Sequence, residues 1–249
     1  MTYHKKEALQ ANLDAVRTLL ALENTRRAPS ESDRATLRRY NGFGGLKCIL
    51  LPAEAPADID RWPRAERELF PLVRELREII DRSAAGSDAA RLWSSLKSSV
   101  LTSFYTDARI VRAIAAGLAL SGLPVRRMLD PSAGMGVFSR ALAGEQTEVV
   151  SFENDLVTGR ILRLLTADNP RQTVRVEGFE EIEAREAGRF DLVASNIPFG
   201  HYVIYDRAYR RANDVVRKEA TRAVHNYYFV KGLDCLREGG IMALITSRG

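Results

Sequence analysis

The chain has 249 residues, 45% of them hydrophobic, enough to bury a sizeable core and too many for a disordered tail. Its 37 Lys and Arg against 32 Asp and Glu leave a net charge of +5, a mild lean toward an anionic partner. Cys48 and Cys235 stand far apart in no metal-binding spacing, no apolar run nears the roughly 20 residues that span a bilayer, and the N-terminus MTYHKKEALQ lacks a hydrophobic stretch after its charges. A disulfide framework, a zinc site, secretion and membrane insertion are therefore not expected, and a reducing cytoplasm fits.

The first hundred residues read as a helical region. Leu9, Leu13, Val16 and Leu20 recur at helical spacing and form one apolar stripe. Ser30 followed by Asp33 resembles a capping box opening a short helix through Leu37, which must end before Gly42, Gly44 and Gly45. Pro52 to Asp60, rich in Pro, Ala and acid, is expected to loop out as a connection. From Pro63 to about Arg82, Leu69, Leu72, Val73, Leu76, Ile79 and Ile80 predict one amphipathic helix with Pro63 in its first turn.

From residue 101 to the end the pattern changes to short apolar runs alternating with helical ones, the signature of a doubly wound parallel α/β sheet. Candidate strands are Arg126 to Asp130, Glu148 to Glu153, Thr173 to Val176, Phe190 to Ser195 and Ile241 to Thr246, the last preceded by a helix and a stop at Gly239-Gly240. No internal repeat or low-complexity tract interrupts them.

The run from Met128 to Phe138 places a strand, a glycine turn and a helix start in succession, so backbone can approach a ligand closely. Gly134-x-Gly136-x-x-Ser139 also comes near the dinucleotide fingerprint, and such turns occur without ligands. Glu153, at the end of the next strand, suits ribose hydroxyls, though a strand-end acid can equally be solvated. Asp130 separates the cofactors: a carboxylate ahead of the turn attracts an ammonium and sulfonium such as S-adenosylmethionine and repels a pyrophosphate. Asp191 to Ser195 reads as a buried strand running into Asn196-Ile197-Pro198-Phe199, which brings an amide, a rigid proline and an aromatic ring to the edge where ligands sit; an ordinary loop is the plainer reading. The stretch His201 to Arg222 interleaves Tyr202, Tyr205 and Tyr209 with Arg207, Arg210, Arg211, Arg217, Lys218 and Arg222, which suits phosphate contact and base stacking as well as it suits a charged helix face.

Asp130-Pro131-x-x-Gly134-x-Gly136-x-Phe138 followed by Asn196-Ile197-Pro198-Phe199, with Phe104-Tyr105-Thr106 upstream, resembles the amino-group DNA methyltransferases that modify adenine N6. The resemblance covers roughly Thr102 to the end; Ile197 departs from the family's proline, as does Asp107 after Thr106. It implies a Rossmann-like S-adenosylmethionine-dependent methyltransferase core, with DNA as partner and no metal. The cofactor would be held by Tyr105, Thr106, Asp130, Pro131, Ala133, Gly134, Gly136, Phe138, Glu153, Phe179 and Glu180. Asn196, Ile197, Pro198 and Phe199 would carry the chemistry: the Asn196 side-chain oxygen and the Ile197 carbonyl accept the two amine N–H bonds, and Phe199 stacks on a flipped base. Tyr202, Arg207, Arg210 and Arg211 would face DNA. The family continues past a fifth strand, so the resemblance implies a truncated sheet and a covalent continuation. Tyr40-Asn41-Gly42-Phe43-Gly44-Gly45-Leu46 resembles a segment of large methylase and helicase fusion proteins of conjugative elements and phages. Other readings stay open: a protein-glutamine or RNA-base methyltransferase of the same fold, a noncatalytic DNA-binding or assembly module, and a NAD-dependent oxidoreductase.

Overall fold

The computed structural model describes residues 5–84, 86–101, 106–200 and 202–246. They fall into two compact units, Met1–Phe104 with Asp155–Leu165, and Tyr105–Asn154 with Thr166–Gly249.

In the first unit, helix α1 (Lys5–Thr25) buries its expected stripe, with Leu9 and Leu13 fully enclosed. Helix α2 (Glu31–Arg38) opens on the capping box: Asp33 N donates to Ser30 Oγ at 3.2 Å and Ser30 N donates to Asp33 Oδ2 at 2.8 Å. The glycine turn behind it is pinned to α1 by buried Asn12, whose Nδ2 donates to Gly42 O at 2.6 Å and whose Oδ1 accepts from Asn41 N at 2.9 Å.

Two expectations fail here. The 52–60 segment does not simply loop out: Pro56–Arg61 forms a 3-10 turn, because Asp58 Oδ2 accepts from Glu54 N and Ala55 N and Trp62 Nε1 donates to Pro52 O. The single helix from Pro63 is instead a 3-10 turn, Arg64–Leu69, followed by helix α3 (Phe70–Ser83). Pro71 explains the break, since it cannot donate within a continuous helix and fits only a first turn. Helix α4 (Gly86–Ser99) completes the sequential part of this unit.

The second unit opens with helix α5 (Ala108–Ser121), capped by Asp107, whose Oδ1 accepts from Arg109 N at 2.8 Å. Strands β1 (Arg127–Asp130), β2 (Glu148–Phe152), β3 (Gln172–Arg175), β4 (Phe190–Asn196) and β5 (Leu236–Ile245) make an all-parallel sheet in the order β3-β2-β1-β4-β5. Helix α6 (Val137–Leu142) follows β1, and helix α7 (Leu156–Leu165) follows β2 in the chain but groups with the helical unit, where Arg160 pairs with Asp88 at 2.8 Å. That placement departs from a simple division at residue 100. Helices α8 (Arg207–Arg211), α9 (Val215–Ala220) and α10 (Val224–Cys235) lie between β4 and β5.

Alternation divides the buried residues between two clusters. Met128, Val149, Leu192 and Ala194 join Phe138 and Val111 in one, while Leu129, Phe152 and Val193 join Phe179, Ile197, Tyr227 and Tyr228 in the other. Strand β5 starts five residues before its expected start. Leu236 pairs with Phe190 and Ile241 with Leu192, so the glycines sit in an excursion inside the strand instead of at a helix stop. Asp191 fills that gap, accepting from Arg126 N and Arg127 N at 2.8 Å through one oxygen and from Arg237 Nε through the other. A Cβ on Gly240 would meet Asp191 O at 3.1 Å and Leu236 Cδ2 at 2.9 Å.

Candidate functional site

In this strand order β1 has β2 on one side and β4 on the other, and the crevice beyond their C-terminal ends is where doubly wound sheets take ligands. The strands deliver Asp130, Glu153 and Asn196 to that edge.

Asp130 is fully buried at the end of β1. Its Oδ1 accepts from Ser195 Oγ at 2.7 Å, and the same hydroxyl accepts from Ser132 N at 3.2 Å, so β4 holds both the acid and the start of the turn. Asp130 Oδ2 is buried with no hydrogen-bond partner among the described residues. Burial pushes the carboxyl up to about 7, against the lowering effect of the Ser195 and Ser132 hydrogen bonds. A buried acceptor of this kind fits a ligand that brings a cationic donor.

The turn is shaped by Gly134 (φ 54°) and Gly136 (φ 72°), left-handed positions that favour glycine. Ala133 N donates to Phe152 O at 2.9 Å, and Gly134 N donates to Glu153 Oε2 at 2.7 Å. Thus Glu153, expected to face a ribose, also braces the turn from the end of β2. Pro131 and Ala133 are buried, and Thr106 is half-buried ahead of the Asp107 cap. Tyr105 lies outside the described residues.

Phe138 and Phe179 are placed as packing residues. Phe138 is buried in the cluster with Met128 and Leu192, and Phe179 is enclosed among Phe152, Tyr227 and Tyr228, with ring centroids 5.8, 6.2 and 5.4 Å away. Glu180 is half-buried, and its carboxylate folds back over Gly178: a Cβ there would sit 2.3 to 2.4 Å from the carboxylate atoms. Gly178 has an ordinary φ, so backbone conformation does not call for glycine there, and the nearest atoms a Cβ would press on are the end of the flexible Glu180 side chain.

At the end of β4, Asn196 is half-buried with its Oδ1 enclosed, and Pro198 and Phe199 are half-buried beyond it. Ile197 is turned into the core. Its N–H donates to Ile245 O at 3.0 Å, a bond that a proline in this position would lack, and the β4–β5 ladder gains one rung.

The basic stretch separates into two sets. Arg217 forks onto Asp234 at 2.9 and 3.1 Å, and Arg222 pairs with Glu219 at 2.9 Å. Arg207, Arg210 and Arg211 are exposed and, among the described residues, have no carboxylate partner; Arg210 stacks 5.1 Å over the Tyr205 ring. Tyr202 is 41% exposed, and its hydroxyl is raised to about 12 by burial and by the Glu180 charge.

Sequence reasoning missed Tyr228, on α10. It is buried against Phe179, and its hydroxyl is raised well above the ordinary value, first by burial and then by Tyr202, Glu180, Glu153 and Asp130. Its phenol therefore shares an electrostatic neighbourhood with the acids at the ends of β1 and β2. Only the aromatic run Tyr227-Tyr228-Phe229 hinted at this, and a run of that kind reads first as core. Among the described residues no group of His, Cys, Asp and Glu is placed to hold a metal ion, and no helix is long and apolar enough to cross a membrane.

No family model matches the chain. It is 31% identical over 147 residues to the defense against restriction protein B of Escherichia phage P1, a stretch that is 59% of this chain and only 6% of that protein. Among solved structures, the type I restriction-modification system methyltransferase subunit from Streptococcus thermophilus aligns over 95% of this chain and 67% of its own, at 13% identity and a TM-score of 0.47. A Burkholderia thailandensis 1,6-didemethyltoxoflavin-N1-methyltransferase, with S-adenosylhomocysteine bound, aligns over 70% and 63% at 18% identity and a TM-score of 0.36.

Proposed function

We propose that this protein binds S-adenosylmethionine at the β1–β4 crevice and methylates the N6 amino group of adenine in DNA. The observation that carries the reading is the buried Asp130 Oδ2, an acceptor with no partner among the described residues, at the edge to which the sheet also brings Glu153 and Asn196. Asp130 suits the ligand's ammonium, the Gly134–Gly136 turn lets the backbone approach it, and Glu153 suits its ribose. When bound, S-adenosylmethionine would supply an electrophilic methyl on its sulfonium; as the nitrogen–carbon bond formed, the carbon–sulfur bond would break, S-adenosylhomocysteine would leave and one amine proton would pass to solvent. Asn196 accepts one amine N–H and the Ile197 carbonyl the other, which localises the nitrogen lone pair toward the methyl; neither role needs a proline at 197. Phe199 stacks on the base, and Arg207, Arg210 and Arg211 contact the phosphates with Tyr202 beside them. The phage relative's name, defense against restriction, is in keeping with a role in DNA modification. The chain spans 6% of that relative, so a target-recognising continuation belongs to the proposal as well.

The test is calorimetric titration with S-adenosylmethionine and, separately, NAD, followed by methyl transfer to adenine-containing DNA. Binding of S-adenosylmethionine alone, weakened in Glu153→Ala, is expected. In Asn196→Ala cofactor binding should persist while transfer falls by about a hundredfold or more. Binding of NAD in its place would overturn the reading.

A further inference from the structure

Lys231 is an unusual residue to bury in the face of α10, being only 7% exposed. Its Nζ lies 2.5 Å from Asp206 Oδ2 and 3.3 Å from Glu180 O. Three rings surround it, with centroids at 5.0 Å for Tyr209, 5.6 Å for Tyr227 and 5.9 Å for Phe179. Asp206 is 2% exposed and fully engaged: Oδ2 also accepts from Tyr227 Oη at 2.8 Å, and Oδ1 accepts from Tyr209 N at 3.0 Å, which caps α8.

The pair is poorly explained as a source of stability. Desolvating both ions offsets most of their attraction, and apolar residues of similar volume often serve as well. What an ion pair adds is direction: the ammonium satisfies Asp206 and the Glu180 carbonyl together in few arrangements. Helix α8 has only five residues, too few to hold its own position in water. Its start is fixed by Asp206, its middle by the bond from Tyr209 Oη to Asp234, and its exposed side carries Arg207, Arg210 and Arg211.

We propose that Lys231 is a positioning residue that registers the arginine-bearing helix α8 against the 3-10 turn Phe179–Glu181, and that it thereby governs capture of DNA rather than capture of cofactor. The proposal rests on the DNA-methyltransferase reading above. It assigns to the Lys231–Asp206 pair a specificity role for a polyanion, acting through three arginines that Lys231 itself does not touch.

The test uses the double variant Lys231→Met/Asp206→Asn, which removes both charges so that neither is left buried alone and keeps an oxygen to cap α8. Circular dichroism and thermal melting report the fold, calorimetry the affinity for S-adenosylmethionine, and fluorescence anisotropy the affinity for a short adenine-containing duplex at several salt concentrations. Cofactor affinity should stay within about threefold, while DNA affinity drops about tenfold and the salt dependence flattens by one to two phosphate contacts, at about 0.9 in log-log slope each. Where turnover is measurable, the loss falls on KM for DNA and not on kcat, a split that general destabilisation does not produce. If the double variant does not fold, Lys231→Arg decides: its wider guanidinium keeps the charge but disturbs the three-ring enclosure, and the same selective loss of DNA affinity is expected. A folded variant that binds DNA as the wild type does, or that loses cofactor and DNA affinity equally, overturns the proposal. Wild-type protein that binds neither ligand overturns the methyltransferase reading, and this inference with it.

Discussion

Asp130→Asn separates what the buried carboxylate costs from what it does. Burial holds the folded-state carboxyl at about 7, above the ordinary 3.8, so the folded protein keeps the proton that the unfolded chain gives up. Its contribution to stability is complete below pH 3.8 and is lost as pH rises through about 7. At 1.36 kcal/mol for each pKa step, the loss over that window approaches about 4 kcal/mol. Asparagine does not titrate. Its amide leaves a buried N–H in the place of Oδ2, at a cost of about 1–3 kcal/mol, but that cost is the same at every pH. The unfolding free energy of the variant relative to wild type should therefore climb by up to about 4 kcal/mol between pH 4 and 8, whatever the offset. Trp62 and Trp93 both lie in the helical unit, so tryptophan fluorescence would report the wrong part of the chain. Urea unfolding followed by hydrogen exchange in peptides from β1 and β4 reports the right one. The two proteins should also part in cofactor binding. Wild-type affinity for S-adenosylmethionine should rise up to about tenfold per pH step as Asp130 ionises and level off above 7, whereas the variant should bind weakly and without that slope. Stability curves that stay parallel from pH 4 to 8 would refute the claim that burial holds the Asp130 carboxyl at about 7.

Three further outcomes follow from the same geometry. Ser195→Ala removes the hydroxyl that lowers Asp130, so the midpoint of pH-dependent cofactor binding should move above 7; calorimetry across pH reads it, and an unmoved midpoint would count against the Ser195–Asp130 bond. Gly178→Ala places a methyl within 2.4 Å of the Glu180 carboxylate, a flexible group that can swing away, so melting should change little while cofactor affinity falls about tenfold if Glu180 holds the ligand. Replacing Arg207, Arg210 and Arg211 together by Gln should reduce the log-log salt slope of DNA binding by about 2 to 3, because none of them has a carboxylate partner to absorb its charge among the described residues.

The sequence by itself determined the five strands, the α1 stripe and the acids at the strand ends, but not the 3-10 turns before α3 or the start of β5. Helical spacing fixed the α1 stripe, the residue types at 30 and 33 the capping box, and short apolar runs the five parallel strands, because each of these depends on residues close together in the chain. The Gly134–Gly136 turn was legible for the same reason: a left-handed φ is a local demand that glycine meets. Tertiary structure decided what those residues do to one another. That Phe138 and Phe179 are buried in the two clusters, that Glu153 braces Gly134, and that Ile197 lends its N–H to β5 all depend on residues distant in the chain; the Gly134–Glu153 and Ile197–Ile245 bonds span 19 and 48 positions. The break before α3 was written in Pro71, but the apolar pattern around it outweighed a single imino acid in reading. The burial of Lys231 had no local sign, and that of Tyr228 only the ambiguous one of an aromatic run. Burial, and with it the electrostatics of a charged or phenolic group, is a property of everything that surrounds the group in space, and one-dimensional spacing carries none of it.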